Sequence, residues 1–344
     1  MLRLNSLLIF FTLLSYISPF VSPQKMSFLM FMGLLYPYFI IFNIIFIFIW
    51  RVSKYKHWRL SALCLIIGMY YFTRILGIHF FQEKPRGNVL KILDYNINGY
   101  SLKNFKNWAA GFNSLENYMN SENPDIICFQ ESSRADFYER VMNTTTVLKK
   151  YPYYFHTEES ETAIFSKYPI TATKSFPINN NKENGCVSAD IKINDKIIRF
   201  YSLQLQSNEI SSMADNIAEK GIKTESGWIN ILKIMNRFRK AGRKRTNEAE
   251  IIAADIQQSP HPVVVCGDFN DIPVSYSYQT LSSSKNLKDA FQEAGCGLSV
   301  TYAGNIPGLR IDFILLDKKF KVFNCHVNKV PYSDHYPVVS EIRF

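Results

Sequence analysis

The sequence predicts an α/β (α+β) sandwich preceded by three transmembrane helices. Two observations predict the sandwich. Beyond residue 88 eight short runs rich in Val, Ile, Phe and Tyr, bounded by turn residues, alternate with segments of helical periodicity. Several of these runs also stop at polar clusters, which gives the expected sheets one chemically distinct edge. A third observation predicts the helices: residues 1–82 contain three apolar stretches, each long enough to cross a hydrocarbon core of about 30 Å.

The anchor comes first, with expected spans at residues 4–21, 26–50 and 60–81. Arg51, Lys54, Lys56 and Arg59 form a basic loop between the second and third spans, whereas the first loop carries only Lys25. The positive-inside bias places the 51–59 loop in the cytoplasm. The N-terminus with Arg3 is then cytoplasmic too, and everything from about Pro85 is periplasmic or otherwise extracytoplasmic. The expected localisation is a multi-pass protein of the inner (cytoplasmic) membrane. A cleaved signal peptide is the alternative, opposed by Pro23 after Ser22 and by the two apolar stretches that follow. Arg74 is costly in lipid unless it snorkels or faces a neighbouring helix.

Charge follows the same division. The formal net charge is +10, but residues 1–85 hold eight Lys/Arg and one acid, so +7 of it belongs to the anchor. The remainder carries 31 bases against 28 acids, a balance of +3. That is too small to argue for steering of a polyanion, and it weighs against a duplex-binding nuclease. The six cysteines form no CxxC pair. Cys64 falls in a span and Cys128 and Cys266 in apolar runs, where buried inert thiols are expected. One bridge among Cys186, Cys296 and Cys325 stays open.

Residues 83–88 read as a linker and 89–344 as the folded domain. Strand character falls on Val89–Ile97, Asp125–Gln130, Thr162–Phe165, Val187–Ile193, Ile197–Leu205, Pro262–Cys266, Ile311–Leu316 and Val338–Arg343. Trp108, Phe112, Leu115 and Met119 share one helical face, as do Ala249, Ile252, Ala253 and Ile256. Residues 206–245 read as an insertion whose second half is an amphipathic helix. Trp228, Ile231, Leu232, Met235 and Phe238 form its stripe, with Arg237, Arg239, Lys240, Arg243, Lys244 and Arg245 near its end. Such a charge run is a solvated helix terminus or a contact for lipid headgroups or an anionic substrate.

The chemistry lies at the strand ends. Leu90–Tyr95 runs into Asn96-Ile97-Asn98-Gly99, Ile126–Phe129 into Gln130-Glu131, and Val263–Cys266 into Gly267-Asp268-Phe269-Asn270-Asp271. Arg310-Ile311-Asp312 opens one strand and Ser333-Asp334-His335 precedes the last. A lone Glu at a strand end, or a lone Asp-His pair, is more often solvated surface. Their joint occurrence on one edge is what carries information. Oxygen donors with almost no Cys or His suit a hard cation, Mg²⁺, Mn²⁺ or Ca²⁺, over zinc.

These motifs, in this order and at these separations, closely resemble those of the endonuclease/exonuclease/phosphatase superfamily, whose DNase I-like fold is shared by pancreatic-type deoxyribonuclease, abasic-site endonucleases, inositol-phosphate phosphatases and neutral sphingomyelinases. The resemblance covers residues 89–344. It implies a four-layer α/β sandwich of two mixed β-sheets flanked by helices, and a metal-dependent phosphoester hydrolase, a phosphodiesterase or phosphatase in which water attacks phosphorus. By the same resemblance Glu131 is the principal metal ligand and Asp334 lies near the ion. Asp268 orients or deprotonates the attacking water, and Asn270 donates to the phosphate. His335 stabilises the transition state or assists proton transfer, Asp312 holds its ring, and Asn96 fixes the carboxylates.

Two positions depart from the commonest pattern. Gln204 stands where many relatives place a histidine that touches the scissile phosphate; an amide there supplies no charge or proton. Asn98 stands by the metal where some relatives place an aspartate, which weakens a second cation site and favours one metal. Expected partners are the phosphoester substrate, as lipid headgroup, small phosphoester or nucleic acid, and membrane lipids; nothing in the sequence implies a protein partner. Two alternatives stand beside this reading: a membrane-anchored nuclease on extracytoplasmic DNA or RNA, and an envelope binding module impaired in catalysis, motivated by Gln204.

Overall fold

The computed structural model describes residues 1–80, 87–100, 102, 107–132, 147–157, 160–177, 184–208, 225–304 and 308–344. Most of the expected linker, residues 209–224 of the expected insertion, and the side chains of Trp108 and Trp228 lie outside these residues.

Two six-stranded mixed sheets form the core of the domain. The first runs, from edge to edge, β13 (Lys321–Val327), β14 (Val338–Arg343), β2 (Leu90–Asn96), β3 (Ile126–Gln130), β5 (Ala163–Ser166) and β4 (Tyr153–His156). The second runs β10 (Lys288–Asp289), β12 (Asp312–Leu316), β9 (Val263–Asp268), β8 (Lys196–Gln204), β7 (Gly185–Ile193) and β6 (Ile170–Pro177). Each has one parallel pair, β2 with β3 and β8 with β9; every other pairing within the two sheets is antiparallel.

The inner faces meet in an apolar layer that includes Ile92, Cys128 and Ile164 from one sheet and Val187, Phe200, Cys266 and Ile314 from the other. Outside the first sheet, helix α5 (Trp108–Glu122) buries Phe112, Leu115 and Met119. Outside the second, helix α6 (Glu225–Gln258) buries Ala249, Ile252, Ala253 and Ile256. Two mixed sheets flanked by helices is the architecture the sequence predicts. All six cysteines are free.

The second half of the expected insertion is helical: residues 225–245 are the first part of α6, a single helix of 34 residues that runs on past 245. Gly242 does not break it. The methyl end of Met30 occupies the place where a side chain at 242 would stand, so the missing Cβ serves packing rather than a turn.

In the N-terminal region, α1 (Leu2–Ile17, continued by a 3-10 turn to Phe20) and α2 (Phe28–Val52) are long and apolar enough to cross a membrane. The third expected span is corrected: it is two shorter helices, α3 (Trp58–Ile67) and α4 (Met69–Ile75), broken at Gly68. The Tyr16 ring lies where a Cβ at 68 would be. Residues 76–78, expected as span, are instead β1 (Leu76–Ile78), paired antiparallel with β11 (Cys296–Leu298) of the domain.

Hydrogen bonds between these helices form a ladder along their length. At one end Asn5 donates to Ser61 Oγ at 2.8 Å and accepts from Trp50 Nε1 at 2.7 Å; midway Asn43 donates to Thr12 Oγ1 at 2.9 Å. Toward the domain, Tyr36 donates to Gly68 O and Tyr71 to Tyr16 O. Past them, a side chain at Gly33 would collide with the Val274 carbonyl and Ser18 Oγ. The basic 51–59 loop therefore sits at the end of the helices remote from the domain.

Arg74 is not in an apolar surround. It is 2% exposed, donates to Pro273 O at 3.1 Å, Gln279 Oε1 at 3.0 Å and Tyr70 Oη at 2.8 Å, and lies over the rings of Tyr70 and Tyr278. The domain answers with Arg310, which donates to Arg74 O at 2.8 Å and pairs with the buried Asp289. The charge the sequence places in lipid is spent on fastening helices to domain.

Candidate active site

The site follows from strand periodicity. Alternate residues of a strand face the same side, so each inner face can be read in steps of two. In β2 that face runs Ile92, Asp94, Asn96; in β3, Cys128, Gln130; in β8, Phe200, Ser202, Gln204; in β9, Cys266, Asp268. Each changes from apolar to polar toward the same end. In both parallel pairs that end is the carboxyl end, where Asn96 is in register with Gln130 and Gln204 with Asp268. Antiparallel β12 begins there with Asp312 opposite Asp268, and β14 is preceded there by Asp334 and His335. Two sheets facing each other thus bring all the expected site residues to one edge.

Asn96 ties the sheets together. Its amide donates to Glu131 Oε1 at 3.0 Å and to Asp268 Oδ2 at 3.2 Å, while its oxygen accepts from Asn98 N at 3.0 Å. Glu131 Oε1 also accepts from Gln204 Nε2 at 2.8 Å. Asn98 donates to Asp334 Oδ1 at 2.8 Å, and Ser333 Oγ donates to Asn96 O at 2.8 Å. Glu131 and Asp334 are therefore both tied to the 96–98 segment. Glu131, Asn98 and Asn270 have φ of 52°, 45° and 50°. Asn tolerates this left-handed region, but a glutamate there is strained, and such strain collects at functional sites. Gly267 has φ of 147° and lies against the Leu203 carbonyl, leaving no room for a Cβ beside Asp268.

On the other side of Asp268 stands a buried pair. His335 Nδ1 lies 3.0 Å from Asp312 Oδ2, and its Nε2 lies 3.8 Å from Asp268 Oδ2. The ring packs edge-on against Tyr302, centroids 5.4 Å apart, and the two residues form a backbone bridge. Thr301 Oγ1 accepts from the backbone of Ile311 and Asp312, fixing the start of β12.

Electrostatics shift both His335 and Asp268 upward. Burial would lower the His335 pKa, but the carboxylates of Asp312 and Asp268 overcome it and push it up to about 10. Asp268 is pushed up to about 8, chiefly by burial and by Asp312, against the opposing influence of His335. Near neutrality His335 is thus held as an imidazolium, beside an Asp268 carboxyl raised out of the ordinary carboxylate range, a pairing suited to acid–base chemistry. Asp94, one layer deeper, is held well above the carboxylate range by burial and Asp312.

Two expected contacts come out differently. Both Asn270 amide protons are already bonded, to Leu205 O at 2.9 Å and Asp268 Oδ2 at 3.0 Å, and its backbone N–H donates to Asp268 Oδ1 at 2.7 Å. It clamps Asp268, and donation to a phosphate would require exchange of one bond. Gln204 holds Glu131, the expected metal ligand. Below the site lies a buried polar layer whose Asp94 and Ser202 the sequence motifs do not mark; Gln130 donates to Asp94 Oδ1 at 2.9 Å and to Ser202 Oγ at 3.2 Å. Its signal was the run of polar residues at alternate positions inside otherwise apolar strands.

Among the described residues Asp268, Asp312 and His335 form a carboxylate–histidine grouping, with donor atoms within 4.8 Å of one another. A cation there would displace the proton that links His335 to Asp312, so this trio fits a proton relay better than a metal site. Glu131 fits a cation. Among the described residues no hydrogen bond falls on its Oε2, and the neighbouring Gln204 Oε1 is buried without a donor. Acceptors left in this way suit a hard ion or its water.

Comparison with known proteins agrees with this arrangement. Residues 95–335, more than two thirds of the chain, match the Endonuclease/Exonuclease/phosphatase family, and residues 1–75 match a domain of unknown function (DUF8431). No curated protein matches. Among solved structures, the fold is similar to a humanized D. rerio TDP2 (TM-score 0.54, 15% identity, covering 74% of this chain and 99% of that one). It is similar also to the human Nocturnin catalytic domain with bound sulfate anion (0.53, 15%, 77% and 96%) and to an endonuclease/exonuclease/phosphatase family protein from Bacteroides thetaiotaomicron (0.55, 16%, 75% and 98%). Members of this family are generally phosphoester hydrolases. With its two mixed sheets, its motifs on one shared edge and this match, the chain belongs to the endonuclease/exonuclease/phosphatase family.

Proposed function

We propose that the protein is a membrane-anchored, divalent-metal-dependent phosphoester hydrolase acting outside the cytoplasm. The observation that carries the reaction is the position of Asp268 between the His335–Asp312 pair and the Asn96 amide it shares with Glu131. Glu131 and Asp334, with Asn98 at the margin, would hold Mg²⁺ (or Mn²⁺/Ca²⁺), which when bound polarises a phosphoryl oxygen and offsets developing charge. Asp268 orients the attacking water and takes its proton as the new P–O bond forms. The His335 imidazolium donates a hydrogen bond to the phosphoryl group as the bond to the leaving oxygen breaks and that oxygen takes up a proton from solvent, and Asp312 keeps the ring charged and aligned. Asn270 and Gln204 hold Asp268 and Glu131 in place.

The anchor reading rests on surface chemistry. Of the 35 large hydrophobic residues exposed among the described residues, 27 lie in the first 80 positions, while Asn5, Thr12, Asn43 and Ser61 are buried there. Apolar outside and polar inside is the arrangement a bilayer stabilises. The substrate favoured is a phosphoester at the bilayer surface, because the segment after Asn270 packs on the anchor: Ile272 and Val274 belong to one apolar cluster with Tyr16, Tyr36 and Tyr71.

The test uses the full chain in micelles with Mg²⁺ and bis-p-nitrophenyl phosphate or a lipid phosphoester. Metal-dependent turnover, abolished by chelator and by Glu131→Ala, is expected. Equal background from wild type, Glu131→Ala and His335→Ala would overturn the enzyme reading and leave an envelope binding module. For topology, an alkaline phosphatase reporter fused after Pro85 should be active; an expressed but silent fusion would reverse the orientation.

A further inference from the structure

α6 reaches the anchor where α1 and α2 connect. Phe238 packs on Phe31 with ring centroids 5.2 Å apart, Met30 seats over Gly242, and Arg243 donates to the carbonyls of Pro23 and Gln24, both at 3.4 Å. Gln24 in turn donates to Asn247 Oδ1 at 3.0 Å. Among the described residues these contacts fall on the first turn of α2 and the loop before it. A helix that touches a membrane span at its first turn alone crosses it at headgroup depth, not along the hydrocarbon.

N-terminal to Phe238 the helix runs on with an apolar stripe that nothing among the described residues covers. Leu232 is 64% exposed and Met235 44%, and helical spacing puts both on the flank that carries Phe238 to the anchor. Arg239, four residues after Met235, borders the same flank, while Lys233 and Lys240 lie on the opposite face. Exposed leucine and methionine next to cations, continuous with a contact to a membrane span, is the pattern of a helix lying in a bilayer interface.

We infer that the first part of α6, ahead of Phe238, is an interfacial helix that lies on the outer surface of the bilayer, with Leu232 and Met235 at the acyl boundary and its Lys/Arg among anionic headgroups. This rests on residues 1–75 being a membrane anchor. It gives the catalytic domain a second contact with the lipid, from the helix whose other half covers the sheet bearing Asp268 and Gln204. The domain is thereby fixed in orientation as well as tethered.

The experiment places single cysteines in the full chain, over Cys296→Ser, in phosphatidylcholine nanodiscs with and without phosphatidylglycerol. Leu232→Cys, Met235→Cys, Lys240→Cys and Leu7→Cys are each labelled with bimane, then quenched with aqueous iodide or with acyl-brominated lipid. Labels at 232 and 235 should be quenched at least twofold more by brominated lipid than the label at 240, which iodide should quench. Quenching at 235 should rise with phosphatidylglycerol, and that rise should vanish when Lys233, Arg239 and Lys240 are all changed to Gln. If Leu7 is lipid-quenched while 232 and 235 are as open to iodide as 240, the interfacial helix is overturned and the anchor stands. An iodide-accessible Leu7 overturns the anchor itself. Labels at 232 and 235 shielded from both quenchers, with cross-linked dimers, would assign the stripe to a second copy and overturn the proposal. No dependence on phosphatidylglycerol would overturn the anionic-lipid assignment.

Discussion

The helices of residues 1–75 and the sandwich that follows bury polar groups for opposite reasons. Among the helices Asn5, Thr12, Asn43 and Ser61 are buried at intervals along the bundle and bonded across it, and many large apolar side chains face outward. In the sandwich the layer between the sheets is largely apolar, and its carboxylate and amide groups gather at one end of the sheets. If lipid surrounds the helices, as proposed, apolar surface gives them no reason to choose one another, and hydrogen bonds supply the choice. Where the surround is water, apolar burial holds the fold, and polar groups are left for chemistry. Polar deletions should therefore cost activity in the sandwich and association in the helices.

The largest expected effect is at His335. His335→Ala should lower turnover by roughly 10²–10⁴-fold, the range for a positioned acid–base group, with the fold retained by circular dichroism. Asp312→Asn sharpens this through pH. With that carboxylate gone, burial is less opposed, so the His335 midpoint should fall from about 10 in ¹⁵N-histidine NMR of metal-free protein. The sign follows from linkage. A raised folded pKa stabilises the fold below the ordinary histidine value, and that contribution is lost as pH rises through about 10. The apparent melting temperature of wild type should therefore drop more steeply between pH 8 and 10.5 than that of Asp312→Asn. Parallel curves would show that the ion pair is not formed.

Next in size is Arg74, which links the two regions. Arg74→Met keeps the bulk but leaves the Pro273 carbonyl and Gln279 without their donor. Hydrogen bonds to a charged group contribute about 1.5–3 kcal/mol each, so a loss of about 2–3 kcal/mol in apparent stability is expected. A loss of kcat/KM should accompany it, since Pro273 follows Asn270 by three residues. Unchanged stability would mean that the other contacts between helices and domain hold them together without Arg74. Gln204→Leu comes after it. Removing one of the two donors to Glu131 Oε1 should weaken Mg²⁺ binding by about 10–100-fold, the usual cost of losing a partner of a metal ligand, read as the Mg²⁺ concentration for half-maximal rate. An unchanged Mg²⁺ requirement with lower kcat would move Gln204 to the phosphate instead.

The same contrast explains what the sequence disclosed. The eight strands legible in it are the eight interior strands of the two sheets, and the four missed are the edges β4, β6, β10 and β13. Interior strands such as Val263–Asp268 are buried throughout and read as continuous apolar runs. The edge strand Ile170–Pro177 alternates with Thr, Lys and Ser, and Lys321–Val327 with Asn and His, so neither stands out from loop. The site motifs were legible because they interrupt apolar runs. The Glu131–Gln204 bond was not, since its partners lie 73 residues apart on different sheets. Arg74 was read as a misfit for a like reason: its main partners, Pro273 and Gln279, are some 200 residues away.

The smallest expected effect tests the helical side of the contrast. Asn43 donates to Thr12 Oγ1 and to Phe39 O, both at 2.9 Å, and its side-chain oxygen has no partner among the described residues. In water, Asn43→Leu at a buried site would be expected to stabilise through added apolar burial. In lipid that gain is absent, because leucine is no better off against a neighbouring helix than against acyl chains, and the interhelical bond is lost. Such bonds average about 0.6 kcal/mol, so a small destabilisation of about that size is expected, with hydrolysis unaffected. Steric trapping or reversible SDS unfolding in bicelles can resolve it. Stabilisation of 1 kcal/mol or more would show that water, not lipid, surrounds these helices.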